Sequence, residues 1–175
     1  MSNNKWIVGD YRENLPPKET SLMIADPVYG TSMVDDIHSL GIERGISSIV
    51  FMWPEDIHDL THAPQQICFW TKPVSTKNTK KNYSRFVEII SINNCEFYNY
   101  LHWSARTGIF TDSLIENKSH PWKKPHSLIE KLILNHYSGK GLIYDPCAGS
   151  GVVHDICSKY GIDSLSIEID EIYGR

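Results

Sequence analysis

The stretch that decides the fold is Leu142-Ile143-Tyr144-Asp145-Pro146-Cys147-Ala148-Gly149-Ser150-Gly151, followed by Val152-Val153 and, further on, Ile156, Cys157 and Tyr160. A short apolar run ends in an acidic residue and a glycine-rich turn. Apolar residues at helical spacing then lead to Gly161, where a C-terminal cap belongs, and to a second apolar run, Leu165-Ser166-Ile167-Glu168-Ile169. Strand, glycine turn, helix, glycine and strand in this order predict a βαβ unit with parallel strands. Glycines between the first strand and the helix let backbone approach a ligand at the carboxyl ends of the strands. Glu168 stands 19 residues beyond Gly149, at the end of the next strand, where a carboxylate accepts hydrogen bonds from ribose hydroxyls. The unit therefore reads as a nucleoside-cofactor site. A dinucleotide motif wants a third small residue where His154 stands, and no phosphate-binding G-x-x-x-x-G-K-[ST] loop is present.

Outward from this unit the pattern stays α/β. Further strands are expected at Trp6-Ile7-Val8, Ser21 to Ala25, Ser48 to Met52, Gln66 to Trp70 and Phe86 to Ile92. Several are unbroken apolar runs, as strands buried on both faces require. A helix is expected from Ser127, which with Glu130 has capping-box spacing ahead of Leu128, Ile129, Leu132, Ile133 and His136. With 175 residues, 41% of them hydrophobic, residues 1–175 are expected to form one domain, a doubly wound, mostly parallel sheet. The N-terminus lacks a secretory signal and no run of 18 apolar residues occurs, so a soluble, intracellular, cytoplasmic protein is expected, with no membrane partner. The four cysteines form no C-x-x-C pair, and the histidines no ligand spacing, so neither disulfides nor a metal are expected.

Charge is segregated. The net charge is −6 over residues 1–63, +6 over 64–140 and −4 over 141–175. The basic centre is densest at Lys72, Lys77, Lys80, Lys81 and Arg85, interleaved with Ser, Thr and Asn, and these five are the candidate phosphate contacts.

A second constellation, Asp26-Pro27-Val28-Tyr29-Gly30, follows the apolar run Leu22 to Ala25. At a strand end beside a cofactor crevice, a carboxylate and a backbone carbonyl can accept hydrogens from an aromatic amine while a tyrosine stacks on the base.

Together these stretches resemble the permuted, or β, class of DNA amino-methyltransferases, in which a catalytic Asp-Pro-Pro-Tyr motif precedes the cofactor motif. Asp26-Pro27-Val28-Tyr29 is similar to that catalytic motif, with Val28 in place of the second proline. His120-Pro121-Trp122-Lys123-Lys124-Pro125 resembles the His-Pro-x-x-Lys-Pro element before a cofactor-contacting helix. Asp145 to Gly151 resembles the cofactor loop, Ile167-Glu168-Ile169-Asp170 the ribose strand, and Ile7-Val8-Gly9-Asp10 the strand whose acidic end approaches the cofactor adenine.

The resemblance implies a Rossmann-like sheet of the S-adenosylmethionine-dependent methyltransferase type with circularly permuted motif order. It implies S-adenosylmethionine as cofactor, held by Asp10, His120, Lys124, Asp145, Cys147, Gly149, Gly151 and Glu168. It implies catalysis by Asp26, Pro27, Val28 and Tyr29 on an exocyclic amino group of a DNA base, with Phe51 or Trp53 beside Tyr29. Asp in the first motif position points to adenine N6. Cytosine N4, RNA, and a catalytically weak subunit that binds cofactor and nucleic acid are the alternatives; a homodimer stays open, and the setting implied is prokaryotic or viral. Only 27 residues separate Ile92 from His120, which leaves little or no room for a separate target-recognition domain.

Overall fold

A computed structural model of the protein describes residues 2–72, 86–98, 107–112 and 123–173. Eight strands form one sheet: β1 (Asn4–Val8), β2 (Thr20–Ala25), β3 (Ser47–Met52), β4 (Gln66–Thr71), β5 (Val87–Asn93), β6 (Ile109–Phe110), β7 (Leu142–Asp145) and β8 (Ser164–Glu168). Three α-helices accompany them, α1 (Ser32–Glu43), α2 (His126–His136) and α3 (Val152–Tyr160). The strand order is β1-β8-β7-β2-β3-β5-β4-β6. All neighbours pair parallel except β3–β5 and β4–β5, so β5 alone runs against the rest.

The unbroken apolar runs are explained by burial on both faces. Leu22 and Ile24 of β2 join Ile49, Phe51, Trp70 and Ile90 beneath α2 and α3. The alternate residues Met23 and Ala25 join Val50, Met52, Tyr144 and Ile167 against Val34 and Ile37 of α1. Chain direction accounts for the two layers. From β7 the chain crosses through α3 to β8 on one side, and from β2 it crosses through α1 to β3 on the other. Crossovers of one hand that run in opposite directions place their helices on opposite faces, and the strand order reverses between β7 and β2.

Three local features differ from the sequence expectations. Helix α2 begins at His126 with Pro125 as its N-cap residue, so Ser127 lies inside the first turn and forms no capping box. Its supposed partner Glu130 instead accepts hydrogen bonds from Lys159 (2.6 Å) and Tyr160 (2.7 Å) of α3. Helix α1 and the two-residue β6 had no recognised signal. Gly161 does cap α3, in the left-handed conformation that favours glycine (φ +68°).

The seat of α1 on the sheet depends on Gly41. A Cβ there would stand 2.7 Å from Cβ and Oγ of Ser48 and 2.9 Å from Cε of Met23. In an exposed helix, Gly→Ala stabilises by about 1 kcal/mol. Here overpacking, which costs about 1–3 kcal/mol, opposes it and pushes on the two strands that frame the site. Gly41→Ala should therefore be net destabilising in urea unfolding; a gain in stability would show that α1 is not closely seated.

Candidate active site

Parallel strands deliver their following residues to one edge of the sheet, and here that edge carries a row of acids. Asp10, Glu168, Asp145 and Asp26 follow or end β1, β8, β7 and β2, four adjacent strands in that spatial order. The register sets Val8 against Glu168 and Asp145 against Ser166. The row spans the reversal point of the sheet, where open α/β sheets form their ligand crevices.

On the glycine-loop side, Glu168 fixes the turn. One of its carboxylate oxygens accepts from Gly149 N–H (2.6 Å) and the other from Asp170 N–H (2.8 Å). Gly149 and Gly151 both adopt positive φ (+49° and +78°), which a side chain would strain. Asp145 is buried and accepts from the Cys147 N–H (3.0 Å). Burial pushes its carboxyl pKa up to about 8, opposed by that N–H and reinforced by Asp26 and Glu168. Burial, with the same carboxylates, also holds the Cys147 thiol well above its ordinary range. Asp10 receives Arg12 N–H (2.9 Å), with the Arg12 guanidinium 3.6 Å away.

The Asp26 side is built differently, because lysines enter it. One carboxylate oxygen of Asp26 lies 2.5 Å from the Tyr29 hydroxyl and the other 2.5 Å from Nζ of Lys124. Tyr29 also lies 3.0 Å from Oε2 of Glu88, and its single proton serves one carboxylate at a time. Burial first, then Asp26 and Glu88, raise the phenol pKa well above normal, so Tyr29 stays a donor. Its ring packs edge-on to Trp53 at 5.5 Å. Lys124 stands 3.3 Å from Oε2 of Glu88, while Oε1 of Glu88 pairs with Lys72. Burial would raise the Glu88 pKa, but the two ammonium groups outweigh it and the net displacement is downward. Burial would likewise depress Lys124, and Asp26 and Glu88 reverse that. The rings of Phe51, Tyr29 and Trp70 wall the Lys124 ammonium at 5.2, 5.3 and 5.8 Å.

Glu88 and Asp56 were not singled out from the sequence. Asp56 accepts from Gly30 N–H and Trp53 N–H, both at 2.8 Å, and so ties the loop after β2 to the loop after β3. Pro27 is buried and Val28 exposed, the carbonyl of Val28 accepting from the Thr31 hydroxyl (2.6 Å). Lys124 sits on Asp26 and Glu88, and Lys72 faces Glu88. The other expected residues, His120, Lys77, Lys80, Lys81 and Arg85, lie outside the described residues.

A family model described as DNA methylase, of the N6/N4 methyltransferase type, matches residues 72–175. The chain belongs to this N6/N4 DNA methylase family. Among solved structures, the fold of this DNA methylase is similar to that of the PvuII DNA methyltransferase, described as cytosine-N4-specific, with a TM-score of 0.75 at 15% identity over 99% of this chain and 84% of that one. It is similar also to M1.HpyAVI in its SAM complex, with a TM-score of 0.70 at 17% identity over 99% and 96%. A third is TTHA0409, a putative DNA modification methylase from Thermus thermophilus complexed with S-adenosyl-L-methionine, at 0.61 and 15% over 97% and 89%. The mostly parallel sheet with helices on both faces is thus that of known methyltransferases. No curated protein sequence matches the chain. Among the described residues no helix is long and apolar enough to cross a membrane, and no three His, Cys, Asp or Glu side chains are grouped to hold a metal ion.

The raised Asp145 pKa carries a stability consequence. The unfolded chain releases this proton near pH 4, whereas the native protein keeps it to about pH 8. The unfolded state therefore binds fewer protons across that window, and native stability falls as pH rises through it, becoming level above pH 8. Asp145→Asn removes this liability. One pKa unit corresponds to about 1.4 kcal/mol, so in the absence of ligand the variant should be more stable at pH 7 by at least that amount. Equal stability of the two proteins from pH 5 to 8 would contradict the burial of an uncompensated carboxyl.

Proposed function

We propose that this DNA methylase transfers a methyl group from S-adenosylmethionine to N6 of adenine in DNA, with residues 1–175 acting as a single methyltransferase domain that holds little or no separate target-recognition module. One observation carries the reading: Asp145, beside the glycine loop, and Asp26, beside Tyr29, stand next to each other where the strand order reverses. A cofactor and an acceptor held by these two loops would meet at that seam.

The chemistry of the cofactor half fits the cofactor. Asp10, Glu168 and Asp145 stand in a row, and the upward displacement of Asp145 marks a carboxyl without a compensating cation. S-adenosylmethionine brings a sulfonium and an ammonium, and the neighbouring structures of M1.HpyAVI and TTHA0409 are complexes with it. In the assigned roles, Asp145 meets the cationic end, Glu168 the ribose and Asp10 the adenine. Cys147, Gly149 and Gly151 shape the loop, with His120 completing that side.

Bound there, S-adenosylmethionine would supply an electrophilic methyl group on a sulfonium that departs as a neutral thioether, and the proton lost by the amine nitrogen would pass to water. The protein's task is to prepare the amine, whose lone pair is conjugated with the base. Asp26 and the Pro27 carbonyl accept its two hydrogens and favour the pyramidal, nucleophilic form. Pro27 is the better backbone acceptor because Thr31 already occupies the Val28 carbonyl. Tyr29 holds Asp26 in place and offers a ring face to a base turned out of the duplex. Asp at the first motif position favours adenine. Cytosine N4 is the second reading, favoured by the likeness to the cytosine-N4-specific PvuII enzyme.

Contact with DNA falls to the basic centre. Lys72 is committed to Glu88, so the phosphate contacts are assigned to Lys77, Lys80, Lys81 and Arg85. Such contacts make affinity fall steeply with salt.

The deciding experiment incubates the protein with DNA and labelled cofactor and identifies the modified nucleoside by mass spectrometry. N6-methyladenine is expected; N4-methylcytosine would move the assignment to the second reading, and cofactor binding without any transfer would leave a non-catalytic subunit. Asp26→Ala should lower kcat at least 100-fold with cofactor affinity changed less than about twofold, since the lost contact strengthens only as the amine pyramidalises. Cofactor affinity should rise between pH 6 and 9 as Asp145 ionises, and this rise should vanish in Asp145→Asn.

A further inference from the structure

Both carboxylate oxygens of Asp26 are already engaged in the arrangement described. Oδ1 is taken by Tyr29 and Oδ2 by the Lys124 ammonium, both at 2.5 Å. Each oxygen keeps a second lone pair, but the Lys124 ammonium on Oδ2 draws on the carboxylate's charge, so Asp26 accepts from the target amine more strongly once that ammonium withdraws. Tyr29 is fixed by packing against Trp53, and its alternative acceptor is again Glu88. Lys124 is the partner that carries a charge, and it too has a second acceptor, Oε2 of Glu88, 3.3 Å from its Nζ. The side chain is 8% exposed and walled by Phe51, Tyr29 and Trp70, so its charge needs a carboxylate wherever it rests.

We propose, building on the reading above, that Glu88 is a positioning residue for methyl transfer: it takes over the Lys124 ammonium and so releases Asp26 to the incoming amine. Three features of Glu88 suit it to this. It is buried at the amino end of β5, and because β5 runs against the other strands, that end reaches the site edge. Its Oε1 is anchored by Lys72, which leaves Oε2 for Lys124 and Tyr29. The group as a whole holds two carboxylates and two ammonium ions, so a shift of Lys124 from one acid to the other leaves the buried charge balanced. The amine's contact with Asp26 then replaces the ammonium's.

The test is a double-mutant cycle in the full chain, with methyl transfer to DNA measured at saturating cofactor and cofactor affinity measured by calorimetry. In Glu88→Gln the only carboxylate left for Lys124 among the described residues is Asp26. The expected kcat is at least tenfold below wild type, with cofactor affinity changed less than twofold; Glu88→Asp should recover part of the loss. Lys124→Met keeps the length of the side chain among the three rings and removes the ion that must be moved. In that background Glu88→Gln should change kcat less than twofold, and the double variant should be faster than Glu88→Gln alone. A purely structural Glu88 would cost the same factor in both backgrounds. Should Glu88→Gln fail to fold, the comparison of Lys124→Met with the charge-balanced double variant still decides. The idea is overturned if Glu88→Gln matches wild type, or if its loss persists undiminished without Lys124. A wild-type protein that transfers no methyl group would overturn the functional reading and this one with it, whereas an active wild type with either unfavourable outcome overturns this one alone.

Discussion

Buried charge at the carboxyl edge of the sheet is the constraint on which the site depends. Four parallel strands in succession bring Asp10, Glu168, Asp145 and Asp26 to that edge, and carboxylates withdrawn from water need compensation. The two halves of the row meet this need differently. Around Asp26 the protein compensates internally, with Lys124 and Lys72 matching Asp26 and Glu88. Around Asp145 and Glu168 the described compensation is by backbone N–H groups, and Asp145 keeps its proton to about pH 8. Among the described residues, the first half carries its own cations, whereas none of them places a cation beside Asp145. Under the proposed function, stability given up at Asp145 would be the counterpart of affinity for the cationic cofactor, a trade common where binding sites are preorganised.

Which parts of this were legible in the sequence follows from how many residues each signal spans. Strands β2, β3 and β7 were read from unbroken apolar runs because both of their faces are covered, and Gly161 was read as a cap because only glycine turns there without strain. Helix α1 escaped notice because its buried positions are Val34, Ile37, His38 and Gly41, and a histidine and a glycine interrupt the apolar stripe. His38 is tolerated inside because Ser91 and Asn93 lie within hydrogen-bond distance of its ring (2.9 and 3.2 Å). The capping-box spacing at Ser127 misled because Pro125 already sets the helix entry, and Glu130 was needed on α3.

The site divided in the same way. The spacing of Gly149 and Glu168 put both residues at one crevice, and the structure brings them into direct contact at 2.6 Å, because a βαβ unit keeps local sequence distance and spatial distance in step. No such relation links Asp26, Glu88 and Lys124, which come from β2, β5 and the entry to α2. Glu88 was hidden for a further reason. A search for ligands at carboxyl ends passes over the amino end of a strand, yet that is the end an antiparallel strand presents to the same edge. Strand direction is a property of the assembled sheet, and residue spacing does not reveal it.

Val28, which stands where the motif that this stretch resembles has a second proline, is best understood through the bonds around it. A second proline would fix one φ and reduce the freedom of the unfolded chain, an effect of about 0.4–1 kcal/mol at a compatible position. Here the Thr31 hydroxyl holds the Val28 carbonyl at 2.6 Å, Asp56 holds the Gly30 N–H at 2.8 Å, and the Tyr29 hydroxyl closes on Asp26 at 2.5 Å. Each such bond contributes roughly 0.5–1.5 kcal/mol, so together they outweigh the missing ring. The Val28 side chain itself is 65% exposed and points away from the core. The turn is thus held by its neighbours on both sides, Thr31 at the head of α1 and Asp56 after β3. Its order depends on hydrogen bonds where a second proline would supply covalent rigidity, and through Thr31 and Asp56 it is tied to how α1 and the loop after β3 pack.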